Sequence, residues 1–175
     1  MNGHLPALVA CSHGTRSAAG AAAVAALVSA VRDRLASVEV VDAFVDVQSP
    51  SLGEVLEHVG RREAVVVPLL LSAGYHVHHD IADAVAQQGS HRATAPLGPQ
   101  PALLEILHER LIESGMTAAD TVVLGASASS DPVAIESMSQ MASALSERLG
   151  RLVPVGHVGH CGTALADVVA AAREP

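Results

Sequence analysis

ALVACSHGTRS, residues 7–17, holds both the first element of the fold and its first reactive side chain. Ala7 to Cys11 run without a polar interruption, as strands covered on both faces of a parallel sheet do. Five small or polar residues follow, Ser12, His13, Gly14, Thr15 and Arg16. The chain then turns alanine-rich, with Val24, Leu27, Val28, Val31 and Leu35 at helical spacing, which predicts a helix over 17–36. Strand, polar loop and helix make a βα unit. In open parallel sheets, ligands gather at such loops, beyond the carboxyl ends of the strands.

The same alternation continues outward. VEVVDAFV (38–45), AVVVPLLL (64–71) and RATAPL (92–97) read as strands, the second of these central because its apolarity is unbroken. Ser49 and Pro50 suit the N-cap and first position of a helix reaching about Val59. HDIADAVAQQ gives a further helix, and PALLEILHERLIESG another, closed by Gly115. The pattern then restarts. TVVLGASASSD (121–131) parallels residues 7–17, a helix follows over 132–149, then LVPVGHV as a strand and GTALADVVAAA as a helix. The match to residues 7–59 holds at an offset of about 113–115 residues, which reads as an internal duplication. The expected class is α/β, with two duplicated open parallel-sheet lobes, residues 1–116 and 117–175, the second incomplete because nothing in it matches AVVVPLLLSAGYHVHHD.

Composition narrows the function. Eighteen acidic residues against ten basic ones give a net charge of −8, a poor balance for nucleic acid, whose binding rests on neutralised phosphates. No apolar run approaches the ~20 residues needed to span a bilayer, and the first residues lack a basic leader, so a cytoplasmic protein is expected. Two cysteines make no disulfide framework, and Cys11, inside a strand, reads as a small buried hydrophobe. Ten histidines equal the basic residues in number, which favours transition-metal or proton chemistry.

Three loops fall at one sheet edge: SHGTR after the first strand, Asp46 and its neighbours after the second, and SAGYHVHHD after the third. If those strands are neighbours, His13, Asp46 and His76 converge. Two imidazoles and a carboxylate with open positions suit iron, cobalt, nickel or zinc. His76 ranks ahead of His78 and His79 because it comes first after the strand and Gly74 permits close backbone approach. Asp80 also reads simply as a helix N-cap, and His78 and His79 as solvent-facing. His157 and His160 crowd GHVGHC in the second lobe and receive no role.

SHGTR, AFVD with SPSLGEVL, and VVVPLLLSAGYHVHHDI, in that order, resemble the CbiX/SirB-type sirohydrochlorin chelatases, class II chelatases related to ferrochelatase. The likeness covers residues 7 to about 115 well and 121–173 more weakly. It implies a chelatase-like fold and insertion of a divalent metal, Co2+, Fe2+ or Ni2+, into sirohydrochlorin or a similar tetrapyrrole, with no organic cofactor. It also implies His13 and His76 as the metal-handling, catalytic pair, one of them accepting a pyrrole proton. Asp46 sits where the family often has an acidic residue. Ser12, Thr15 and Arg16 would meet the substrate's carboxylates. The second lobe has Ala128 in place of His13, confining metal handling to the first. Because bilobal members hold the macrocycle between lobes, the short second lobe implies a truncated chain or completion by another subunit, which leaves room for a homo-oligomer. The rival readings are a metal or tetrapyrrole carrier without turnover, and a histidine phosphatase. The phosphatase pattern wants Arg before the histidine, where this chain has Ser12.

Overall fold

A computed structural model describes residues 5–72, 74–159 and 161–173, with the side chains of 75–78 outside that set. The order is β1 (Ala7–Ser12), α1 (Ala18–Arg34), β2 (Val40–Phe44), α2 (Leu52–Val59), β3 (Ala64–Pro68), α3 (Tyr75–Ala86), β4 (His91–Ala93), α4 (Pro101–Glu113), β5 (Leu124–Ser127), α5 (Pro132–Leu149), β6 (Val155–Val158) and α6 (Leu165–Ala171). Contacts divide the chain into Met1–Pro96 and Leu97–Pro175.

The first unit is a parallel sheet in the order β2-β1-β3-β4. The chain leaves β1 for β2 on one side and returns to β3 on the other, so strand order reverses at β1. Alternation along the strands sorts the side chains into two layers. Val9, Cys11, Ala43, Ala64 and Val66 pack against Leu52, Val55 and Leu56 of α2 and Ile81 of α3. Ala10 and Val40 face the other way, against Val28 of α1. Both faces of β1 are therefore covered, which is why its sequence carries no polar residue before Ser12.

Several boundaries differ from the sequence reading. The N-cap of α2 is Ser51, not Ser49: its hydroxyl accepts from the Glu54 N–H (3.3 Å) while the Glu54 carboxylate accepts from the Ser51 N–H (2.8 Å). The Ser51 N–H and the Ser51 hydroxyl both donate to the Glu54 carboxylate and hold that carboxyl below its ordinary range. Helix α3 begins at Tyr75, with Gly74 as its N-cap, so Asp80 lies inside the helix and caps nothing. The fourth strand is three residues, His91–Ala93, and ends before the polar Thr94 and the strand-breaking Pro96.

The second unit contains the parallel pair β5-β6, and among its described residues α4 packs into the same core. Val122, Leu145 and Val153 form its centre, with Leu104 and Leu111 of α4 against them. Arg148 of α5 makes two hydrogen bonds to the Glu105 carboxylate of α4 (2.7 and 2.6 Å). Packing thus assigns α4 forward in the chain, whereas the 116/117 boundary follows the sequence repeat. The repeat is visible in the backbone: the isolated parallel bridges Phe44↔Ser51 and His157↔Ala164 stand 113 residues apart.

Cys11 is fully buried, and that burial pushes its thiol up to about 11, whereas Cys161 is exposed. Since the thiolate is the reactive form, a colorimetric disulfide reagent near neutral pH is expected to titrate one thiol rapidly and the other only after denaturation. Two rapid thiols would contradict this packing.

Candidate functional site

His13, Asp46 and the β3–α3 loop all lie at the carboxyl edge of the first sheet, because β2 and β3 are the two neighbours of β1. Hydrogen bonding carries the β1–β2 ladder past the ends of the strands. The Val45 N–H donates to the Ser12 carbonyl (2.9 Å) and the Asp46 N–H to the His13 carbonyl (2.9 Å). On the other side the Leu69 N–H donates to the Cys11 carbonyl (2.7 Å). His13 therefore sits at the end of the central strand with its backbone fixed and its side chain exposed.

Gly14 makes that arrangement possible. Its φ is +94°, and a Cβ there would collide with the Asp46 carbonyl oxygen and lie 3.1 Å from the Asp46 carbonyl carbon. No other residue type fits both the conformation and the gap. Gly74, the glycine expected to allow close approach, has nothing described within 4 Å of where a Cβ would stand. The close approach belongs to the first loop.

Beyond Asp46 the chain makes a γ-turn: the Gln48 N–H donates to the Asp46 carbonyl (2.7 Å) across Val47, whose φ is +68°. The Asp46 carboxylate accepts from the Val47 N–H (2.7 Å), and the Gln48 side-chain oxygen accepts from the Thr15 N–H (2.8 Å). The loops after β1 and β2 are thereby joined at both ends. Asp46 is exposed, and its second carboxylate oxygen has no hydrogen-bond partner among the described residues. Sequence reasoning missed Val47 and Gln48: nothing in the residue types signals a turn held by tertiary hydrogen bonds.

The substrate-facing candidates separate. Arg16 is exposed and makes no ion pair among the described residues. The Thr15 hydroxyl accepts from the Ser17 N–H (3.1 Å), and the Ser17 hydroxyl caps α1 through the Gly20 N–H (3.3 Å). Ser12 is buried on the α1 face of the sheet, with its hydroxyl unpartnered among the described residues, and it lines a cavity of about 290 Å³ between α1 and strands β1 and β2. The His76 backbone belongs to the first turn of α3, while the His76 and His78 side chains, like all of His160, lie outside the described residues. Among the described residues no three His, Cys, Asp or Glu side chains are grouped to hold a metal.

The equivalent loops of the second unit are built differently. Ala128 follows β5 where His13 follows β1, and Gly159 follows β6 where Val45 follows β2. A Cβ on Gly159, whose φ is +131°, would stand 2.8 Å from the Ala128 Cβ. The histidine is replaced by one of the smallest residues, packed against a glycine.

The family model described as CbiX matches residues 7–114, and so takes in all three loops of the first edge. The chain belongs to the CbiX family. No curated protein sequence matches it. Among solved structures, this CbiX chain is similar to SirB from Bacillus subtilis with Fe3+, at 22% identity over 95% of this chain and 70% of that one, with a TM-score of 0.79. It is similar to the sirohydrochlorin chelatase SirB from Bacillus subtilis subspecies spizizenii in complex with cobalt, at 19% identity over 95% and 80%, TM-score 0.71. It is also similar to CbiX, the terminal enzyme for biosynthesis of siroheme in denitrifying bacteria, at 18% identity over 88% and 70%, TM-score 0.64. At these identities the likeness establishes the chelatase fold.

Because Gly14 combines positive φ with a backbone contact, Gly14→Ala is expected to destabilise this CbiX chain by at least about 2 kcal/mol. Gly74→Ala, with nothing described within 4 Å of the added Cβ, should change stability by less than about 1 kcal/mol. Denaturant midpoints of the two variants check the contrast, and equal midpoints would refute it.

Proposed function

We propose that the chain is a metal chelatase that inserts a divalent ion, cobalt or iron, into sirohydrochlorin or a similar tetrapyrrole, in siroheme- or cobalamin-type biosynthesis in the cytoplasm. The observation that carries the reading is the exposed His13 at the end of the central strand, tied through its backbone to Asp46 in a member of the CbiX family. Strand β3, which leads into the helix bearing His76, is the other neighbour of β1. In lineage, as distinct from packing, residues 1–116 are assigned as the metal-handling lobe and 117–175 as its partial repeat. Ala128 supports this, because it follows β5 where His13 follows β1 and leaves the repeat without a histidine at that position.

The chemistry asks for few and weak ligands. His13, His76 and Asp46 are assigned to hold the incoming ion, which is the substrate, with positions left to water so that the ion can be surrendered. Insertion of a dication into the ring releases two pyrrole protons. One imidazole is assigned to take the first, and Asp46 or water the second. Arg16 and Thr15 are assigned to the substrate's carboxylates at the rim, and Ser12 to a substituent entering the cavity beneath α1.

Metal insertion is read from the change in the absorbance spectrum of sirohydrochlorin with Co2+, Fe2+ or Ni2+. His13→Ala and His76→Ala are each expected to bring the rate down to the uncatalysed background with the fold intact. Retained activity in both would overturn the site, and a wild-type chain that binds metal and macrocycle without exceeding background would be a carrier.

A further inference from the structure

Two apolar side chains stand exposed at the edge that carries His13, and each has a structural reason for standing there. Leu71 follows β3 in the run Leu69-Leu70-Leu71. Leu69 packs on the α1 side of the sheet and Leu70 on the α2 side, which leaves Leu71 with neither core, 63% exposed. Val47 follows β2 at the centre of the γ-turn, 44% exposed. Since β2 and β3 flank β1, the loops that carry the two residues leave the sheet on either side of the strand that ends in His13.

Exposed leucines and valines are common and need no explanation singly. Val47 is different because of its backbone. A β-branched residue at φ +68° is an outlier, and a glycine there would remove the strain. The turn itself is held by the Gln48, Asp46 and Thr15 hydrogen bonds, none of which uses the valine side chain. The isopropyl group therefore contributes nothing to holding the turn, yet it is kept at an unfavourable φ beside a reactive edge.

We propose that Val47 and Leu71 are substrate-positioning residues, two apolar rails on either side of His13 that hold the planar face of a conjugated macrocycle. This rests on the chelatase reading for the identity of the ring. A flat conjugated ring is apolar on its faces and charged only at its rim. Rails of aliphatic carbon grip the faces and leave the rim to Arg16 and the metal path to His13. Position then depends on van der Waals contact, which does not compete with the ligands for the ion.

The test is binding of metal-free sirohydrochlorin, followed by its fluorescence without added metal, together with KM and kcat for insertion and the melting temperature. Val47→Gly is expected to weaken binding and raise KM roughly tenfold, with a melting temperature at or above that of the wild type. Val47→Thr keeps the shape and the backbone and is expected to weaken binding in the same direction, while Val47→Ile should bind as the wild type does. Leu71→Ala should weaken binding without a loss of stability. If Val47→Gly and Leu71→Ala bind the macrocycle as tightly as the wild type, or if binding falls only in step with melting temperature, the rails are refuted. A wild type that binds through these residues without inserting metal would refute the chelatase reading and leave the rails standing. A wild type that does not bind the macrocycle refutes both.

Discussion

The site depends on one constraint: main-chain hydrogen bonding between β1 and β2 continues past their ends, to His13 on one side and Asp46 on the other. A loop histidine at a sheet edge would ordinarily be held only by its own short connection. Here the His13 carbonyl accepts from the Asp46 N–H, and the two loops approach so closely that only a glycine fits between them. The imidazole and the carboxylate therefore hang from a common backbone frame. The relative position of their backbones is set by main-chain hydrogen bonds. In the proposed chelatase, which would hold an ion loosely and release it, a rigid frame under few ligands supplies the geometry that ligand strength does not.

That frame explains how the burden is divided within the first unit. The two hydrophobic layers, under α2 and α3 on one face and under α1 on the other, fix β1 at the centre. Because β1 is central, its carboxyl end has a loop on each side, and strand order reverses there. The apolar core thus determines which three loops meet, and the loops supply the chemistry. Ser12 stands at the junction of these roles, its hydroxyl turned to the α1 layer while the next residue turns outward to the edge.

Much of this was legible in the sequence, and the rest has identifiable reasons for being hidden. The unbroken apolarity of AVVVP announced a covered strand, and the polar run after Cys11 announced the edge. The repeat showed in the offset of its strands, and the Phe44↔Ser51 and His157↔Ala164 bridges bear it out. The start of α2 was misplaced because Ser49-Pro50 and Ser51-Leu52 both offer a serine followed by a fair first residue, and only the reciprocal bond to Glu54 decides between them. Helix α3 starts earlier than expected because a glycine can take the capping backbone without a capping side chain. Val47 was illegible in principle. Local propensity argues against a β-branched residue at positive φ, and the turn exists through hydrogen bonds from residues distant in the chain. Departures of that kind from local preference concentrate at functional sites.

The Ala128–Gly159 contact shows what the placement of a tight spot does to a sheet edge. In the second unit Gly159, at φ +131°, lies so close to the Ala128 Cβ that no side chain fits on it, and the crowding falls on the first residue after β5. In the first unit the crowding falls one residue later, on Gly14 against the Asp46 carbonyl, and the His13 side chain before it stays exposed. A shift of one residue in where two loops touch thus separates an edge that presents a side chain from one that closes over its own backbone.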